Sequence, residues 1–112
     1  MSILVWNVRG LGNTRTFQML RHYLQHHNPE VVFLMEALST HDRLERLRVS
    51  FGFSGKLMID RDGRSGSLCL LWTDFVEVDL ITYFRHHIDT KIKSPGGFVW
   101  HFMRFYGYPE AV

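Results

Sequence analysis

The sequence is poor in the features that mark several broad classes of protein. Cys69 is its single cysteine, which excludes an intramolecular disulfide, and its apolar neighbours predict a small buried side chain and no disulfide-linked partner. No apolar run approaches the roughly 18 residues that a membrane span needs. Arg9 also interrupts the apolar N-terminus too early for a signal peptide. The sequence therefore predicts an intracellular protein, nuclear or cytoplasmic, without a membrane segment.

The chain also lacks a strong excess of charge. Thirteen Lys and Arg against eleven Asp and Glu leave a net charge of +2 in 112 residues, far short of a nucleic-acid-binding tail. The basic excess lies in the first half, and ten of the thirteen cations are Arg, whose planar fork suits phosphate contacts. Solvated helix faces are the simplest interpretation. The length and an ordinary apolar fraction predict one domain, residues 1–112.

Two strands are predicted near the N-terminus, and each is followed by a helix. The apolar runs Ile3–Trp6 and Val31–Met35 are typical of strands buried on both faces. The first helix is expected between a cap at Asn13 and a stop at Asn28-Pro29, and the second from a capping box at Ser39 to about Ser50. Apolar residues recur at helical spacing in both helices, at Phe17, Leu20, Leu24, Leu44 and Leu47. This order predicts that the first two strands are parallel.

After Gly52 the pattern changes to strands separated by turn residues. Strands are predicted at Gly55 to Ile59, Leu68 to Trp72, Val76 to Phe84 and Phe98 to Phe105. Asp, Gly, Ser and Pro fill the segments between them. We expect this half to form an antiparallel meander.

Asn7 and Glu36 each follow a buried strand at its carboxyl end. Ligands of α/β sheets collect at that edge, so the two side chains can meet in space. Amide and carboxylate oxygens suit a hard cation such as Mg²⁺. The alternative is that Asn7 begins a turn and Glu36 is a solvated strand end.

Five short segments of the sequence occur in an order that is recognisable from a known family. They are Trp6–Gly12, Pro29–Glu36, Gly63–Trp72, His87–Asp89 with Trp100, and Phe105–Glu110. Together they resemble the endonuclease/exonuclease/phosphatase family, in particular the apurinic-endonuclease-like domain of plant LINE-type retrotransposons. The resemblance covers essentially the whole chain.

The resemblance implies a phosphodiester hydrolase that acts on DNA with Mg²⁺ or Mn²⁺. Glu36 matches the carboxylate that binds the metal, and Asn7 matches the amide that helps hold the metal and orient the phosphate. Tyr106 matches the tyrosine that contacts the scissile phosphate, with Tyr108 as the alternative. Arg9 and Tyr108 are the expected substrate contacts.

The family's fold is a sandwich of two sheets with helices outside. For residues 1–112 the resemblance implies its N-terminal portion, with α+β content. We expect one mixed sheet with two helices, and a second sheet that is largely missing.

The family's catalytic Asp lies in a G-D-x-N segment beyond the tyrosine, and a closing Asp-His pair follows it. Neither segment occurs within the 112 residues, so we expect a chain truncated before its general base and inactive alone. Two smaller departures are Ser67, where the family usually has Gly, and Ala37, where a small polar residue often follows the glutamate. The alternatives are a non-catalytic remnant that binds nucleic acid or a protein, and a fragment that does not fold stably.

Other candidate residues have simpler interpretations. His22 and His26 have a zinc-compatible spacing but no further ligand, which favours a surface pair. Asp60 and Asp62 resemble the start of a calcium loop without its later ligands, which favours a hairpin turn. The three tryptophans are predicted to lie in the core, at Trp6, Trp72 and Trp100.

Overall fold

The structure is a computed structural model that describes residues 2–61, 64–84 and 87–105. The chain divides into two compact units, residues 1–74 and residues 75–112. Both helices and four strands belong to the first unit, and three strands belong to the second. The predicted α+β class is confirmed.

The first unit is a mixed four-stranded sheet with the order β1-β2-β4-β3. Its strands are β1 (Ile3–Asn7), β2 (Val31–Met35), β3 (Gly55–Arg61) and β4 (Arg64–Trp72). As predicted, β1 and β2 are parallel, while β4 pairs antiparallel with β2 and with β3. Every residue of β2 is buried, and this strand lies between β1 and β4.

Two helices cover one face of this sheet, α1 (Thr14–His27) and α2 (His41–Ser50). Each helix contributes two buried leucines to a core that also contains alternate residues of β2 and β4. Burying each leucine contributes roughly 1.5–3 kcal/mol, so this interface holds the helices on the sheet. The leucines are Leu20, Leu24, Leu44 and Leu47.

The helix ends agree with the sequence, except for one cap. The Asn13 side chain accepts a hydrogen bond from the Arg15 amide at 2.9 Å, and Asn28 ends α1 in the left-handed conformation. The predicted cap at Ser39 is wrong by one residue, because the Thr40 hydroxyl accepts the hydrogen bond from the Arg43 amide. Ser39 is buried instead.

Gly55 and Trp72 form a close-packed pair at the start of β3 and the end of β4. A Cβ atom on Gly55 would lie only 1.9 Å from the Trp72 indole ring. The indole therefore covers the Gly55 backbone directly, and only glycine fits beneath it.

The second unit is an antiparallel sheet of three strands, β5 (Glu77–Phe84), β6 (His87–Lys93) and β7 (Val99–Phe105). The expectation that a second sheet would be largely missing is wrong, because these three strands form one. The strand β6 was not predicted, although Thr90 and Ile92 alternate with the charged residues beside them and are buried. The single predicted meander is also corrected, because β3 and β4 join the first sheet.

The tryptophans divide between core and surface. Trp6 packs against the core of the first unit, as predicted. Trp100 remains 51% exposed in β7, so its predicted place in the core is wrong. Its neighbours Phe98 and Val99 are exposed as well, because they follow the turn at the tip of the sheet.

Candidate metal centre

Asn7 and Glu36 lie at the same edge of the first sheet. Asn7 ends β1 and pairs in parallel register with Met35, the last residue of β2, and Glu36 follows directly. Neighbouring strands are about 4.8 Å apart, so the two residues lie near each other at the same end of the sheet. Both residues follow parallel strands at their carboxyl ends, and their shared site stays a prediction.

Backbone hydrogen bonds continue the pairing beyond the strands and fix the two loops to each other. The Val8 amide donates to the Met35 carbonyl at 2.9 Å, and the Gly10 amide donates to the Glu36 carbonyl at 2.8 Å. A third bond, from the Leu11 amide to the Ala37 carbonyl, is also 2.8 Å long. The loop after β1 is therefore anchored to the loop after β2, with Leu11 and Ala37 fully buried.

Both loops contain residues in the left-handed backbone region. Arg9 has φ of 57°, Glu36 has φ of 53° and Leu38 has φ of 48°. This conformation costs a residue with a side chain about 1 kcal/mol or more. Such strain concentrates at functional sites, and Glu36 is one of these strained residues.

The polar side chains at this edge make no bond to the described part of the chain. Asn7 is exposed and Glu36 is partly exposed, and neither side chain makes a hydrogen bond or ion pair with any described residue. Arg9 is exposed and unpaired in the same sense. Their oxygen and nitrogen atoms are therefore available to a ligand.

The donor set fits Mg²⁺ or Mn²⁺ better than a metal that needs a closed protein cage. Across the described residues, no group of three His, Cys, Asp or Glu side chains is arranged to hold a metal. Mg²⁺ keeps several waters and is usually bound by one or two carboxylates together with substrate phosphates. One carboxylate from Glu36 and one amide oxygen from Asn7 match that pattern.

The remaining predicted site residues fall into two groups. Tyr106 and Tyr108 lie outside the described residues, so their assignments stay predictions. Ala37 is buried in the core cluster, where a polar side chain would need its own hydrogen-bond partner.

Other side chains have structural roles. His22 and His26 are exposed, with ring centroids 4.1 Å apart, which agrees with the predicted surface pair. His41 Nε2 lies 2.7 Å from the Asp60 carboxylate. Cys69 is free and fully buried, and burial raises the pKa of its thiol to about 12, which confirms an unreactive apolar role.

A second group of polar residues was not singled out from the sequence. Arg21, Arg43 and Arg46 line a cleft on the first unit, although they were interpreted as parts of solvated helix faces. Their spacing could have indicated a shared basic surface, since Arg43 and Arg46 are three residues apart on α2 and lie on one face.

Comparison of the chain with protein-family models and with curated protein sequences finds no match. Within the described residues, no helix is long and apolar enough to cross a membrane.

Proposed function

We propose that the chain carries the metal-binding part of a divalent-metal-dependent phosphodiester hydrolase site that acts on DNA. One observation carries the proposal: the parallel register of β1 and β2 brings Asn7 and Glu36 to one sheet edge, and neither side chain has a partner among the residues that the structure describes. The resemblance of the surrounding segments to the endonuclease/exonuclease/phosphatase family supports the same chemistry.

The proposed roles follow from the chemistry of each side chain. The Glu36 carboxylate and the Asn7 amide oxygen hold a hard divalent cation, which neutralises charge on the non-bridging phosphate oxygens when it is bound. The Asn7 amide nitrogen can donate to a phosphate oxygen, and the exposed Arg9 guanidinium can do so with two parallel bonds. In this proposal Tyr106, or Tyr108, donates its phenol to the same phosphate.

Hydrolysis also needs a group that removes a proton from the attacking water. Neither an amide nor a metal-bound carboxylate does this well, and no G-D-x-N segment occurs within the 112 residues. A polypeptide of these residues is therefore expected to bind DNA in a metal-dependent way without cleaving it.

Fluorescence anisotropy with a labelled abasic-site duplex tests this proposal. We expect Mg²⁺ to tighten binding and EDTA to reverse the effect. Glu36→Gln should remove the Mg²⁺ dependence, because a neutral amide holds the cation far less well. Asp74→Asn is the matched control, because Asp74 lies near the opposite end of the sheet and has no partner among the described residues.

A cleavage assay on nicked, abasic and supercoiled DNA in Mg²⁺ tests the expected inactivity. No product should form with the 112-residue chain. Cleavage that Glu36→Ala abolishes would show that the chain supplies its own base, and would overturn this part of the proposal.

The second candidate function is non-catalytic binding of nucleic acid. Arg21, Arg43 and Arg46, which form no ion pair with a described residue, favour it. In that case DNA binding is salt-dependent and survives both EDTA and Glu36→Ala. Absence of binding at low salt would count against this candidate.

A further inference from the structure

A cleft between α1 and α2 is lined by three arginines and, among the described residues, by no acidic one. Its volume is about 530 Å³, within the range of small-molecule sites. We call it the helix cleft. Its arginines are Arg21 on α1, with Arg43 and Arg46 on α2.

The three guanidinium groups have no counter-charge in the part of the chain that the structure describes. None of them forms an ion pair with a described residue. The acidic residues of α2 are Asp42 and Glu45. Glu45 is held by Arg48 and Lys56, and Asp42 forms no ion pair with a described residue and does not line the cleft. Three like charges around one concave surface repel one another, and an anion in the cleft relieves that repulsion.

Helix geometry places the arginine side chains along the same cleft. Arg43, Arg46 and Ser50 lie on one face of α2, while Phe17 and Arg21 are four residues apart on α1. The guanidinium carbon of Arg43 lies 4.3 Å from the centre of the Phe17 ring. This cation–π contact orders the Arg43 side chain before any ligand binds.

We propose that the helix cleft binds a nucleotide by its phosphate end. Arginine forks donate in pairs to phosphate oxygens, and the cleft also contains the hydroxyls of Thr40 and Ser50. Phe51 is partly exposed at the end of the cleft and offers an apolar surface to a base. A free nucleotide and one nucleotide of a single strand share this chemistry. The proposal does not depend on the Asn7–Glu36 site.

NMR titration of the folded chain tests the helix cleft through the side-chain Nε–H signals of its arginines. The probes are ADP, inorganic phosphate and a short oligothymidylate. We expect saturable shifts of all three arginine signals, with ADP or the oligothymidylate binding more tightly than phosphate. If ADP binds more tightly than the oligothymidylate, the site takes free nucleotides, and the reverse order assigns it to single strands.

Variants separate the cleft from general electrostatics. Arg21→Ala or Arg46→Ala should weaken nucleotide binding about tenfold, the size of one lost charge-assisted hydrogen bond. Arg15→Ala removes the same charge from α1 outside the cleft and should change affinity little, because solvent and salt screen exposed charges. Asp74→Asn, at an acidic residue outside the cleft, should leave binding intact.

Two results would overturn the proposal. One is equal weakening by Arg15→Ala and Arg21→Ala, which would indicate a diffuse charge effect. The other is a tetraglutamate peptide that binds as tightly as ADP, because the site would then select charge and not phosphate.

Discussion

Two glutamates flank β2, and their surroundings are opposite. Glu30, just before the strand, has a carboxylate that accepts from the Ser2 amide at 2.6 Å, and its backbone also bonds to Ser2 and Thr73. Glu36, just after the strand, has no side-chain partner among the described residues and a left-handed backbone. The first carboxylate joins β1 to β2, whereas the second belongs to a residue with a strained backbone and bonds to no described residue.

Packing is also tighter at the Glu30 end of the sheet than at the Glu36 end. Beside the start of β2, Trp72 covers Gly55 so closely that no Cβ atom fits. In the loop after β1, a Cβ atom on Gly10 or Gly12 would meet nothing within 4 Å. One end is closed by packing and the other is open, which is the arrangement that a binding site needs.

The largest effect is expected at the closed end. Gly55→Ala should lower the free energy of unfolding by about 2 kcal/mol, because the new methyl group displaces the Trp72 ring. Urea denaturation measures this loss. Gly12→Ala is the matched control at the open end and should be close to neutral, and a similar loss in both variants would remove the contrast in packing.

A smaller effect of opposite sign is expected at the open end. Glu36→Gly should raise the free energy of unfolding by about 1 kcal/mol, because glycine adopts positive φ without strain. Glu30→Gly should lower it, since this change removes the bond to Ser2. Chemical denaturation of both variants would contradict the account if Glu36→Gly proved as destabilising as Glu30→Gly.

The smallest effect concerns a third carboxylate, which is fixed within the first unit. Hydrogen bonds from Arg48 and then Lys56 lower the pKa of Glu45 to about 2, from an ordinary value of 4.5. Its contribution to stability is therefore present above about pH 4.5 and is lost as the pH falls toward 2. Glu45→Gln should flatten the decline of the urea midpoint over this window. Asp74→Asn should leave the decline unchanged, and an equal change in both variants would refute the assignment.

Local signals predicted the fold of the first unit well. The strands β1 and β2 are marked by uninterrupted apolar runs, and Asn13 caps α1. These features depend on neighbouring residues alone, so the structure agrees with their prediction. Thr40 replaced Ser39 as a cap because two adjacent hydroxyl residues satisfy the same motif and only tertiary position chooses between them. The strand β6 was missed because its charged and apolar residues alternate, which weakens the apolar run without removing the strand.

The candidate site was predictable where strand order determines it. Asn7 and Glu36 lie at one end of the sheet because parallel strands end there, which follows from the strand–helix–strand order. The strain at Glu36 was not predictable, because positive φ there depends on the hydrogen bonds between the two loops. The helix cleft was also missed, since it needs the relative placement of α1 and α2, which no local pattern gives.

Paramagnetic broadening of backbone amide signals by Mn²⁺ tests the central claim most directly. We predict that low Mn²⁺ concentrations broaden the signals of Asn7, Glu36 and their neighbours first. This effect should disappear in Glu36→Gln and persist in Glu30→Gln. Broadening that persists unchanged in Glu36→Gln, or that centres on Glu30, would contradict the assignment of a metal site to the open end of the sheet.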